Sequence, residues 1–103
     1  DYKVLRIIIK DIIFVESMSE YVRIYLEKSK KTIVTLISMN RFEESLVKRG
    51  FMRVHRSYIV NLSKVNVISK MRIIFDNDLF VPIGEMYKEQ FINYLNNHFV
   101  GKN

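Results

Sequence analysis

From Tyr21 to Glu27 the chain alternates strictly, with Tyr21, Arg23, Tyr25 and Glu27 set against Val22, Ile24 and Leu26. A period of two predicts a strand with one wet and one buried face. Most other apolar residues also come in short runs, rich in β-branched side chains: Val4 to Ile9, Ile12 to Val15, Thr32 to Leu36, Val65 to Ser69, Met71 to Phe75 and Leu79 to Ile83. They are too brief for helices and suit a pleated surface. Polar or turn-forming segments separate them: Lys10-Asp11, Glu16-Ser-Met-Ser-Glu20, Lys28-Ser-Lys-Lys31, Leu62-Ser-Lys64, Ser69-Lys70 and the hairpin turn Asp76-Asn-Asp78. Pro82 restricts the last strand to an edge or to its end.

Two stretches break this rhythm. Met39, Phe42, Leu46 and Val47 fall at i, i+3, i+7 and i+8, one stripe of a short helix. Ser38 can cap it, or Asn40 can, with Glu43 as capping-box partner. Acidic Glu43 and Glu44 come early and basic Lys48 and Arg49 late, with Gly50 as the C-terminal stop. A second amphipathic helix is expected from about Glu85 to Phe99, through Tyr87, Phe91, Leu95 and Phe99, or Tyr94 and His98 beside them, with Gly84 before it and Gly101-Lys-Asn103 as a tail. Eight or nine short strands joined by short turns, plus two helices, predict a β-rich α+β fold with antiparallel sheets. Phe14, Phe42, Phe51 and Phe91 are assigned to its core.

A chain of 103 residues is expected to form one domain, 1–103, burying about two-thirds of the surface its unfolded state exposes. Lys plus Arg number 17 against 11 Asp plus Glu, a net charge of +6 that favours a polyanionic partner, nucleic acid first and an anionic membrane surface second. There is no cysteine for a disulfide or thiolate metal site, which suits a reducing cytoplasm. No apolar run approaches the roughly twenty residues of a membrane span. The chain begins at Asp1, without Met, in folded-looking sequence, and is expected to be a fragment of a longer protein.

Catalysis is not expected. Only His55 and His98 are present, and no Gly-rich phosphate loop, metal-binding His pair or G-x-S-x-G elbow occurs. Neither a metal nor another cofactor is expected. Tyr21, Tyr25, Tyr58 and Phe75 could stack on unpaired bases, though on strands such residues are more often core or cross-strand partners.

The segment Phe51-Met-Arg-Val-His-Arg-Ser-Tyr-Ile-Val-Asn61 carries more polar side chains than a core strand needs. Arg23, Arg53, Arg56, Lys70, Arg72 and Lys88 lie beside predicted loops or strand ends, where several can reach one side of a small domain. An Arg fork matches phosphate oxygens or the O6 and N7 edge of guanine. Lys28, Lys30 and Lys31 are read as a solvated hairpin tip.

The same segment closely resembles the central signature of the LytTR-type DNA-binding domain, the effector half of many bacterial two-component response regulators. Asp11-Ile-Ile-Phe-Val-Glu16 resembles that family's early D-I-x-x-I-E block, Leu36 to Leu46 takes the place of its helix, and Leu79 to Tyr87 resembles its third block. The resemblance covers about residues 4 to 99. It implies an elongated fold of three small antiparallel sheets with a short central helix and a C-terminal helix. It also implies double-stranded DNA as partner, met from one side by loops that enter successive major grooves.

Carried over by position, the first loop falls at Ser19 to Arg23, including Tyr21, the second at His55, Arg56 and Ser57, and the third at Gly84 to Lys88. Lys70 and Arg72 join the expected DNA-binding set as basic neighbours, and Arg56 is its leading member. His55 either contacts DNA or fixes the loop, and Asn61 is read as a turn cap. Where the family has Ser-Arg-x-Tyr, this chain has Gly84-Glu85-Met86-Tyr87, so that either Glu85 reads a base or Lys88 makes the contact. The resemblance further implies an N-terminal receiver domain, absent here, whose phosphorylation-driven dimerisation sets two copies on direct repeats, the isolated domain being monomeric. The alternative is a basic interaction module for an acidic protein or an anionic membrane surface.

Overall fold

A computed structural model describes residues 4–76 and 79–99. Strand β1 (Ile12–Met18) turns at Ser19 and Glu20 into β2 (Tyr21–Leu26), which returns antiparallel beside it, and β3 (Ile33–Thr35) then pairs with β2. Helix α1 (Met39–Leu46) crosses to a second hairpin, β4 (Phe51–His55) and β5 (Tyr58–Asn61). Phe14, Val15 and Glu16 of β1 pair with Val60, Ile59 and Tyr58 of β5. That ladder welds the two hairpins into one five-stranded antiparallel sheet, ordered β3-β2-β1-β5-β4. Strands β6 (Val67–Ser69), β7 (Arg72–Ile74) and β8 (Phe80–Pro82) make a separate antiparallel sheet in chain order, and helix α2 (Lys88–His98) closes the chain.

The larger sheet is buried on both faces. Val15, Val22, Ile24, Phe51 and Ile59 pack with Met39 and Leu46 of α1, while Phe14, Val54 and Val60 pack with Ile73, Val81, Ile83 and Phe91. A register shift between Ile12 and Phe14 explains why these two residues serve opposite faces although two apart. The molecule is elongated, 51 × 26 × 23 Å. No helix among the described residues is long and apolar enough to cross a membrane.

Several local expectations hold for the stated reasons. Ser38, the first of the two cap candidates, accepts from Arg41 N at 3.3 Å, and Gly50 takes the left-handed conformation, φ 85°, after the helix has tightened into a 3-10 turn. Asn61 is buried and caps the turn that follows, its Oδ1 accepting from Ser63 N–H while Nδ2 donates to Ile12 O at 2.9 Å. Pro82 ends β8, an edge strand. Phe14, Phe51 and Phe91 are buried, and Phe42 partly so.

Others need correction. The described residues form two sheets instead of three, because the β1–β5 ladder joins what the resemblance implied as separate units. Val4 to Ile9 forms no strand: Val4, Leu5 and Ile8 are exposed, and a 3-10 turn at Ile9–Asp11 redirects the chain into β1, whose two edges are both taken. Glu16 to Met18 is not a connection but the end of β1, leaving only Ser19 and Glu20 as the turn. Asn40 and Glu43 form no capping box and turn instead toward Arg53. In the last helical segment, Glu85–Tyr87 is a 3-10 turn and the α-helix begins at Lys88. Of the expected Asp76-Asn-Asp78 hairpin turn, Asn77 and Asp78 lie outside the described residues, as does the Gly101 to Asn103 tail.

Phe91 is fully buried and joins α2 to both sheets. Phe91→Ala should cost about 3–5 kcal/mol in a denaturant titration. A loss below about 1 kcal/mol would show that α2 does not share the core.

Candidate nucleic-acid interface

Four turns meet at one end of the molecule. β1 runs toward the Ser19–Glu20 turn and its antiparallel neighbour β5 starts from the Arg56–Ser57 turn, so both lie at the same sheet end, joined by Ser17 N–H donating to Ser57 O at 2.8 Å. Gly84 N–H donates to Val54 O at 2.8 Å and sets the start of the last helical segment against the end of β4. Ile83 N–H donates to Met71 O at 3.0 Å, which brings in the Lys70–Met71 turn between β6 and β7. An unbroken series of backbone hydrogen bonds therefore fixes the four turns to one another.

Local conformation explains how each turn is aimed. A register shift between Arg53 and His55 reverses the side-chain parity of β4, so His55 stands beside Tyr58 at 5.3 Å between ring centroids instead of on the α1 face with Arg53. His55 Nδ1 accepts from Ser57 N–H at 3.0 Å, which assigns the ring proton to Nε2 and shapes the turn. Gly84 packs against this ring: a Cβ there would lie 3.4 Å from His55 Cα and Cδ2 and 3.2 Å from Tyr87 Cδ2. Lys70 and Met71 both have positive φ, 52° and 57°, as a two-residue hairpin turn of type I′ requires. Neither is the Asn or Gly that such a turn prefers, so the turn carries strain.

The expected site residues differ in how free they are. Arg56, Ser19 and Lys70 are exposed, Tyr21 is 43% exposed, and Ser57 is half-buried with both backbone groups engaged. Arg23 is half-buried, its Nε without a partner, and faces Glu16 across the ladder. The Arg72 guanidinium lies 4.8 Å from the centre of the Phe80 ring, on the outer face of the small sheet. Glu85 and Lys88 pair with each other at 2.7 Å, so the cation that could replace the missing arginine is already matched. Cations are not confined to this end. Lys28, Lys30 and Lys31 are exposed on the β2–β3 tip at the opposite end, where Lys64 pairs with Glu27 at 2.7 Å and holds that carboxyl below the ordinary range.

These turns, their exposed polar side chains and the surplus of positive charge belong to a fold shared with known proteins. The family model described as the LytTr DNA-binding domain matches residues 2–96. The chain belongs to that family. Among solved structures, a LytTr DNA-binding domain of a methyl-accepting/DNA response regulator from Bacillus cereus is similar, with 26% identity and a TM-score of 0.73 over 86% of this chain and 84% of that one. No curated protein matches. LytTr is a DNA-binding family rather than a catalytic one, so family membership gives this domain DNA as its partner.

Sequence reasoning missed one residue that organises the LytTr surface from behind. Glu16 receives the Tyr25 hydroxyl on Oε1 at 2.8 Å and the Tyr58 hydroxyl on Oε2 at 2.9 Å. Phe14 stacks on Tyr25 at 4.1 Å and on Phe75 at 5.4 Å and meets Tyr58 edge-on, so three of the four aromatics considered for base stacking are packing partners. The alternation of Phe14 with Glu16 was the available signal, hidden because Glu16-Ser17 reads as a polar connection.

Burial and donation to the Glu16 carboxylate push Tyr58 from 10.0 up to about 12, and the same causes raise Tyr25. A raised folded value means that the stabilisation is whole below pH 10 and is lost as pH rises through about 12. An alkaline titration followed by tyrosinate absorbance should show a late step near pH 12 that disappears in Tyr58→Phe. An unchanged late step in that variant would contradict the assignment.

Proposed function

We propose that the end carrying the four turns binds double-stranded DNA sequence-specifically, and that the domain acts as the effector half of a two-component transcriptional regulator. The observation that carries this is the convergence of Ser19, Arg56, Lys70 and Glu85 turns on one end, with Arg56 exposed and its side chain unpaired among the described contacts. Ordered loops that present polar side chains suit base edges, because the contacts are set before the DNA arrives. Family membership and the response-regulator origin of the Bacillus cereus relative support the regulatory setting.

In this proposal Arg56 offers its fork to a base edge or a phosphate. Ser19, Ser57, Tyr21 and Lys70 fix the register on the backbone. Arg23 and Arg72 act as flanking positive charge, and His55 holds the second loop in shape. Either Glu85 accepts from the exocyclic amine of cytosine, or Lys88 leaves Glu85 for a phosphate. A receiver domain N-terminal to this one, dimerising on phosphorylation, would set two copies on direct repeats in the cytoplasm, the isolated domain binding as a monomer.

A fluorescence titration on duplexes selected from a random pool tests this directly. Neutralising about five phosphates gives a slope of log affinity against log salt near −4 to −5. Arg56→Ala should weaken the selected duplex by about 1–3 kcal/mol and narrow its lead over a scrambled one. Salt-independent or absent duplex binding would contradict the proposal, and capture by anionic vesicles that competing duplex does not reverse would point to the alternative of a basic docking module using the Lys28 to Lys31 end.

A further inference from the structure

Arg53 differs from every other cation near the turns. Its side chain is 15% exposed, and its Nη1 donates to Glu43 Oε1 at 3.0 Å and to Asn40 Oδ1 at 3.2 Å. Its Nη2 donates to the backbone carbonyl of Arg56, and its Nε is buried without a partner. Asn40 and Glu43 stand three residues apart on one face of α1, the spacing at which helical side chains are neighbours. One guanidinium therefore clasps the helix on one side and the Arg56 turn on the other.

This turn needs such support. The register shift between Arg53 and His55 skips Val54 in the β4–β5 ladder, and the turn is then held at Ser57, by the His55 ring and by Ser17 N–H, with neither bond reaching the Arg56 carbonyl. Without Arg53, the Arg56 carbonyl would have only solvent, and the peptide carrying Arg56 could rotate. A planar fork with several donors in fixed directions can hold a carbonyl, a carboxylate and an amide oxygen together, which a lysine ammonium on a flexible stem cannot.

We infer that Arg53 is a positioning residue for DNA recognition: it ties the Arg56 turn to α1 through Glu43 and Asn40 and fixes the direction in which the Arg56 side chain leaves the domain. This rests on DNA binding through that turn. Arg53 does not touch DNA, because reaching a phosphate would break the bonds that hold the turn. Glu43, a carboxylate that would by charge alone oppose DNA binding, assists it by anchoring Arg53.

The experiment compares the intact domain with Arg53→Lys, Arg53→Gln and Glu43→Gln, titrating a selected and a scrambled duplex over a salt series. Loss of a charge-assisted brace should reduce the preference for the selected duplex about tenfold in all three variants, with the salt slope unchanged. Glu43→Gln is the sharpest arm, since it removes a negative charge and still should weaken specific binding. If Arg53 instead contacts a phosphate, Arg53→Lys keeps both affinity and slope while Arg53→Gln weakens both duplexes alike and lowers the slope by about 1, which would overturn the inference. Tighter binding of both duplexes by Glu43→Gln, with preference intact, would overturn it as well. NMR relaxation without DNA adds a readout independent of binding: backbone order at Arg56 and Ser57 should fall in Arg53→Gln while the rest of the sheet is unaltered, and unchanged order would exclude the brace. Were the wild-type domain unable to distinguish duplexes, sequence-specific binding would be refuted and the relaxation measurement would decide the brace alone.

Discussion

Strand β1 is hydrogen-bonded along both edges, to β2 on one side and β5 on the other, and the placement of the first two turns follows from it. Antiparallel pairing sends β1 out toward the end from which β5 starts, so the first and second turns cannot avoid each other. The core follows from the same strand. Phe14 and Val15 point to opposite faces and anchor the two hydrophobic clusters, one under α1 and one under the small sheet and α2. A sheet buried on both faces tolerates few polar side chains, and the one carboxylate near its centre, Glu16, is matched by two tyrosine hydroxyls.

On this rigid base the variable chemistry sits in very short segments. Two-residue turns have little freedom, and three of the four turns at this end are linked to a neighbouring element by a main-chain bond of 3.0 Å or less. The register shift in β4 is the most consequential irregularity. It moves His55 to the face that Gly84 approaches, leaves Arg53 on the face of α1, and so gives two residues with the look of a basic recognition motif different structural duties. Arg56 between them is left exposed.

Much of the fold was legible in the chain because burial periodicity and turn chemistry are local. The alternation of Tyr21 to Glu27, the stripe of Met39, Phe42 and Leu46, the Gly50 stop and the Pro82 edge each follow from a rule that acts over a few residues. What could not be read depended on partners distant in sequence. Whether Val4 to Ile9 pairs depends on free sheet edges, and whether Glu16 belongs to a turn or a strand depends on Tyr58, 42 residues away. The site was legible as residue types and loop positions. The matching of Lys88 with Glu85, of Arg72 with Phe80 and of Arg53 with Glu43 was not, since a cation's availability depends on which side chain the fold brings beside it.

The two ends of the large sheet make the central claim testable in one measurement. Both carry exposed cations, but only one carries the bonded set of turns. Amide chemical shifts recorded while a selected duplex is added should move at Ser19, Arg56, Ser57, Lys70 and Glu85 and stay still at Lys28, Lys30 and Lys31. Movement concentrated at the Lys28 to Lys31 tip, with the Arg56 turn unaffected, would contradict the account.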